Sequence, residues 1–167
     1  MTCSRSAVAL AAVSVLACTT AAHAAITKLD LANYQLASRF DLPGDSASES
    51  SAITYNFDSG NLFVLGDEGD AIVEVTTAGA VVSTMALSGF DDTEGLTYIG
   101  NGQFVLVEER LQDAYRLTYT ANGNVARSSL AAVSIGSTIG NSGLEGVSFE
   151  RTTGDFYFDG KRPHSVR

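Results

Sequence analysis

Two glutamates, Glu94 and Glu145, hold equivalent places in a repeated motif: Thr93-Glu94-Gly95-Leu96-Thr97-Tyr98 and Leu144-Glu145-Gly146-Val147-Ser148-Phe149. A degenerate earlier copy, Ser51-Ala52-Ile53-Thr54-Tyr55, has serine in the glutamate position. Carboxylates brought together raise one another's pKa unless a cation intervenes. No His or Cys stands at these positions, so a hard ion with oxygen ligands, such as Ca²⁺, is the natural partner. The other reading is structural: each Glu accepts hydrogen bonds from neighbouring backbone amides and fixes the packing of its strand. Residue types alone leave both readings open. Asp91-Asp92 adds acidity just before Glu94, as a further ligand or as a solvated turn. Asp67-Glu68 and Glu108-Glu109 each follow the second apolar run of a repeat, on the same rim but farther out. One member of each pair could turn inward as a metal or substrate ligand; the other reading is a solvated loop with one carboxylate capping backbone amides. The metal-ligand candidates are therefore Glu94, Glu145, Asp92, Glu108 and Asp67.

Other chemistries lack residues. Cys3 and Cys18 both fall in the N-terminal leader, which removes thiol nucleophiles, Cys-based metal sites and disulfides from the rest of the chain. His164 is the one histidine outside that leader, three residues before Arg167, so no Ser-His-Asp arrangement can be argued. The glycines punctuate turns and form no phosphate loop. A net charge of −9 gives no electrostatic footprint for nucleic acid. The only enzyme chemistry these residues support is a carboxylate-bound metal activating water.

The elements that must position the carboxylates are short strands. Each motif copy is followed by a Gly-containing turn and a second apolar run: Leu62–Leu65, Gln103–Val107 and Phe156–Phe158. The first repeat reads as four strands, Ala52–Tyr55, Leu62–Leu65, Ala71–Thr76 and Val81–Leu87. The second follows as Leu96–Ile99, Gln103–Val107, Ala114–Tyr119 and Ser128–Ile135, with hairpin turns at Asn101-Gly102 and Asn122-Gly123. The third runs from Val147–Phe149 to Phe156–Phe158. Tyr34–Leu42 reads as the outer strand of an incomplete or ring-closing blade. The motif copies are 43 and 51 residues apart, and a repeat of roughly 40–50 residues built from strands is one β-propeller blade. The fold class is all-β, a propeller of four-stranded antiparallel blades. The first strand of each blade is innermost, so Glu94 and Glu145 converge at one mouth of the central channel.

The ends are read as follows. Arg5, an apolar stretch from Ala7 to Ala17 and the small-x-small sequence Ala22-His23-Ala24 make residues 1–24 an expected export signal. Lipidation at Cys18 is a rival reading. No later stretch approaches the ~20 apolar residues of a membrane span. Residues 25–167 hold about three blades, whereas propellers have roughly four to eight, so a fragment comprising the N-terminal part of a propeller domain is expected.

Several blocks resemble the SdiA-regulated family of exported bacterial proteins, distant relatives of NHL-repeat propellers. They are Ser51–Asn56, Phe63–Gly69, Leu87–Leu96, Phe104–Arg110 and Gly143–Val147. The resemblance implies a propeller of five or so blades with a bound calcium ion and no settled activity. It favours Glu94 and Glu145 as ligands. Asp159-Gly160-Lys161-Arg162-Pro163 departs from the family's Lys-Glu-rich end of that strand. The expected function is an exported calcium-binding module for an unknown small molecule or protein ligand. The alternative is a metal-dependent hydrolase of the lactonase or esterase type using channel-mouth carboxylates.

Overall fold

The computed structural model describes residues 31–68, 70–137 and 142–160. The expected export signal, the cysteines and His164 lie outside these residues. Contacts divide the chain into Met1–Leu36 and Ala37–Arg167. In the first unit, Leu31–Asn33 form one 3-10 turn.

In the second unit, strands β1 (Ser50–Tyr55), β2 (Leu62–Gly66), β3 (Ala71–Val75) and β4 (Val81–Ser88) form an antiparallel meander, blade 1. Blade 2 is built from β5 (Thr93–Gly100), β6 (Gln103–Glu108), β7 (Asp113–Thr118) and β9 (Ala132–Ser134). Blade 3 is represented by the hairpin β10 (Leu144–Phe149) and β11 (Phe156–Gly160). Strand β5 packs against β1 on one side and β10 on the other. Successive sheets therefore stack face to face with their first strands adjacent, which is propeller geometry.

Alternation along each strand makes these faces. Phe63, Leu65, Ile72, Met85 and Leu87 of blade 1 meet Leu96, Tyr98, Phe104, Leu106, Tyr115 and Leu117 of blade 2 in one buried cluster. The opposite face of blade 2, with Val105, Val107 and Ala114, packs on Leu144 and Val147 of β10. Phe63 and Phe104 meet with ring centroids 4.8 Å apart, in the middle of the first interface.

Four expectations are corrected. Residues 34–42 form no strand. Phe40 and Leu42 instead lie across the face of blade 1, against Val64, Val73 and Val75. That apolar face is better covered by a crossing strap than by a strand hydrogen-bonded at its edge. Ser128–Ile135 is not one strand: Arg127–Ser129 form a 3-10 turn and β9 holds only three residues. Before that turn, β8 (Asn124–Ala126) pairs in parallel with β4 of the preceding blade. The Asn122-Gly123 turn, closed by Gly123 N–H to Thr120 O at 2.9 Å, therefore sends the chain back to blade 1 rather than into a hairpin. Asn101-Gly102 does form the expected hairpin, both residues with positive φ (54° and 70°).

The fourth correction concerns the motif glycines. The Glu-Gly steps lie within β5 and β10, at register shifts between Thr93 and Gly95 and between Leu144 and Gly146. The sequence leads one to expect from a glycine after each Glu both a tight turn and a close backbone approach; neither glycine has positive φ, so the tight turn is absent. What Gly95 supplies is close approach. A Cβ there would meet Val107 Cγ2 at 2.6 Å, and Gly146 Cα and Val147 N at 2.9 Å. Gly95→Ala should force β5 and β10 apart. Its expected effect is a loss of about 1–3 kcal/mol in a denaturant melt, within the range for overpacking a tight interface.

Candidate metal centre

The bulges aim the motif carboxylates. Asp67 follows β2, Asp92 occupies the turn before β5 with φ +63°, and Glu94 lies within β5 at its bulge. Carboxylate oxygens of these three half-buried residues all lie within 4.8 Å of one another. Asp67 Oδ1 accepts the Thr93 N–H at 2.9 Å, which ties blade 1 to blade 2 at this rim. Arg110 Nε donates to Asp92 Oδ2 at 2.8 Å and partly offsets the charge.

The cluster is electrostatically uncomfortable. Burial raises the Glu94 carboxyl above its usual range, and the charges of Glu145, Asp92 and Asp67 add to this, opposed by the Ser51 hydroxyl. Ser51 is the residue equivalent to Glu94 in the first repeat, so the inner strands do line up their first residues. Burial also raises Asp67, opposed by its bond from Thr93 and reinforced by Asp92, Glu49 and Asp70.

Glu109 is the member that sequence reasoning placed only as part of a pair. It is 1% exposed and its Oε1 accepts the Gly143 N–H at 3.0 Å. Burial pushes its pKa up to about 6, against the pull of that amide, with hydrogen bonding to the Glu145 and Asp92 carboxyls adding to the rise. It therefore links the Asp67-Asp92-Glu94 group to Glu145 of blade 3. The available signal was Gly143: a side chain there would collide with Gln112, which caps Glu109 O at 2.7 Å.

Glu108, expected among the ligands, is directed elsewhere. It is fully buried, accepting the Asp91 N–H at 2.6 Å and the Tyr115 hydroxyl at 2.9 Å, with Arg127 Nη1 at 3.6 Å. Successive strand residues face opposite ways, so Glu108 enters the blade 1 side with Leu106 while Glu109 continues to the acidic mouth. Burial and its bond to Glu108 push the Tyr115 hydroxyl well above its usual range, so it remains protonated as a donor.

Chemically, the mouth is an all-oxygen donor set. Calcium takes six to eight oxygens at about 2.3–2.6 Å, so oxygens within 4.8 Å of one another can share one ion. Half-burial, the crowding of like charge and, among the described residues, the absence of nitrogen or sulfur donors fit such an ion. Asp67, Asp92 and Glu94 would hold it, with Glu109 and Glu145 adjoining.

Several solved structures are similar in part. Virginiamycin B lyase from Staphylococcus aureus matches at 18% identity over 66% of this chain and 34% of its own, with a TM-score of 0.46. Myxococcus xanthus glutaminyl cyclase matches at 18% identity over 67% and 50%, with a TM-score of 0.48. Hydrazine synthase from Kuenenia stuttgartiensis matches at 14% identity over 74% and 31%, with a TM-score of 0.48. The chain thus spans from about a third to a half of the length of these proteins. The family model described as SdiA-regulated matches residues 27–166, and with the stacked blades and paired Glu-Gly bulges already described, the chain belongs to the SdiA-regulated family.

Proposed function

We propose that this chain is an exported calcium-binding propeller module, with the ion held at the channel mouth by Asp67, Asp92 and Glu94 and supported by Glu109 and Glu145. The observation that carries the reading is the convergence of three carboxylate oxygens within 4.8 Å in a half-buried site. Their protons are held more tightly than usual at Asp67 and Glu94. Such an arrangement costs folding energy without a cation and is relieved by one. Export is inferred from the leader sequence in residues 1–24. Among the described residues no helix is long and apolar enough to cross a membrane.

A thermal melt of the chain with and without millimolar calcium tests this. Saturation to a hundred times Kd corresponds to about 2.7 kcal/mol, or a Tm rise of roughly 5–10 °C for a domain this size. The double variant Asp67→Asn, Glu94→Gln should lose that rise, yet melt higher than the unmodified chain in chelator because repulsion is removed. If the double variant is instead destabilised in chelator, the carboxylates are packing elements and the calcium reading fails. Glu108→Gln should do the opposite: lower stability by about 1–3 kcal/mol through its Asp91 and Tyr115 bonds, with the calcium response intact.

The pH dependence has a definite sign. Folding raises the Glu109 pKa from 4.5 to about 6, so the folded chain binds that proton more tightly. Its contribution to stability is full below 4.5 and is lost as the pH rises through about 6. In chelator, Tm should therefore fall between pH 4.5 and pH 7, and calcium should flatten that decline.

A further inference from the structure

The turn that carries Asp92 is gripped by three consecutive residues at the end of β6 and just after it. Glu108 Oε1 accepts the Asp91 N–H at 2.6 Å. The Glu109 N–H donates to Asp92 O at 2.8 Å. Arg110 Nε donates to Asp92 Oδ2 at 2.8 Å, and its Nη1 lies 3.7 Å from Asp91 Oδ1. The first two bonds hold main chain and place the turn. The third is of another kind, because it occupies one oxygen of a carboxylate that belongs to the acidic mouth.

The two partners of that bond differ in environment. The Asp92 side chain is 9% exposed and that of Arg110 is 52% exposed. A buried carboxylate is thus paired with a guanidinium that stays hydrated. Arginine keeps its proton at any pH that matters here, so the positive charge beside the mouth is fixed. Asp67, Asp92 and Glu94 bring three formal negative charges when ionised, and Arg110 removes one of them. Ligand charge is one of the quantities that tunes an oxygen site for its ion. A fixed positive charge repels an incoming cation in proportion to the valence of that cation.

We propose that Arg110 sets the valence preference of the mouth: by subtracting one charge beside Asp92, its guanidinium favours Ca²⁺ over a trivalent ion that takes the same oxygens. The proposal rests on the calcium reading above and adds a residue that touches no ion. Its size follows from Coulomb's law. Between a divalent and a trivalent ion the difference is one unit-charge interaction. At about 6 Å, and with a dielectric of roughly 40–80 for a hydrated guanidinium, that is a factor of about three to ten in relative affinity. Arg110 also steadies Asp92, but that effect acts on both ions alike and cancels in the ratio.

Isothermal titration calorimetry of the chain with calcium chloride and, separately, with terbium chloride reads that ratio; Tb³⁺ takes oxygen ligands at distances similar to those of Ca²⁺. At low ionic strength, Arg110→Gln should raise the terbium-to-calcium affinity ratio by about three- to tenfold. Salt at about 0.5 M should shrink the change, because the charge is exposed. Arg110→Lys keeps the charge while losing the planar fork, and should hold the ratio within about twofold of the unmodified chain. Arg116→Gln removes a charge on β7 opposite Val105, away from the mouth, and should leave the ratio where it was. Far-UV circular dichroism checks folding, and Arg110→Ala replaces Arg110→Gln should the latter unfold. A ratio that does not move in Arg110→Gln, or that shifts equally in Arg110→Gln and Arg110→Lys, makes Arg110 an anchor of the turn only; the proposal is then overturned and the calcium reading stands. An unmodified chain that binds neither ion overturns both.

Discussion

The approach of β10 to β5 at Gly95 is the contact on which the rest depends. Strand backbones in neighbouring blades normally keep side chains between them. Here the missing Cβ of Gly95 lets Gly146 Cα and Val147 N come close. That contact fixes how near the first strands of consecutive blades lie at the mouth, and hence how near Glu94 lies to Glu145. The bulge beside each glycine bends the strand and turns the preceding glutamate. One small residue thus sets both the packing of the sheets and the electrostatics of the mouth.

Crowding at one end is balanced by ties at the other. The Tyr98 hydroxyl and Asn101 N–H both donate to Asp58, joining the first turns of blades 1 and 2. Arg151, in the turn of blade 3, stacks over the Phe57 ring of blade 1 with 3.4 Å to the centroid. Farther out, β8 adds a fifth strand to blade 1, and Ser88 Oγ donates to Asn124 Oδ1 at 2.6 Å. Thr54 Oγ1 accepts the Tyr98 N–H at 3.1 Å between the inner strands themselves. These cross-blade links, with the aromatic cluster around Phe104, hold carboxylates in proximity that their charge alone would oppose.

Neighbouring glutamates illustrate how pleating divides labour. Glu108 and Glu109 have the same side chain and adjoining positions, yet one closes a buried hydrogen-bond network with Tyr115 and Asp91 while the other meets Gly143, Glu145 and Asp92. Both are desolvated, and the difference lies in what each faces. Glu108 is paired within the chain, whereas Glu109 shares its space with like charges. That contrast separates a glutamate whose carboxylate is satisfied within the chain from one held against like charge.

The sequence by itself determined the blade plan. Alternating apolar residues, Gly-containing turns and recurring Glu-Gly steps were enough to mark the four strands of blade 1, the first three of blade 2 and the hairpin of blade 3, and to set Glu94, Asp92 and Asp67 on one rim, because strand period and repeat spacing are local properties. Its failures came where a segment had two partners to choose from. The Phe40 strap and β8 each have strand-like residues, and only the tertiary structure decided that the first crosses a sheet face and the second joins the preceding blade. The same holds for Glu108 and Glu109, whose roles depend on which blade lies opposite each face. A pattern along the chain records which residues share a side, and the neighbour on that side exists only once distant segments have packed.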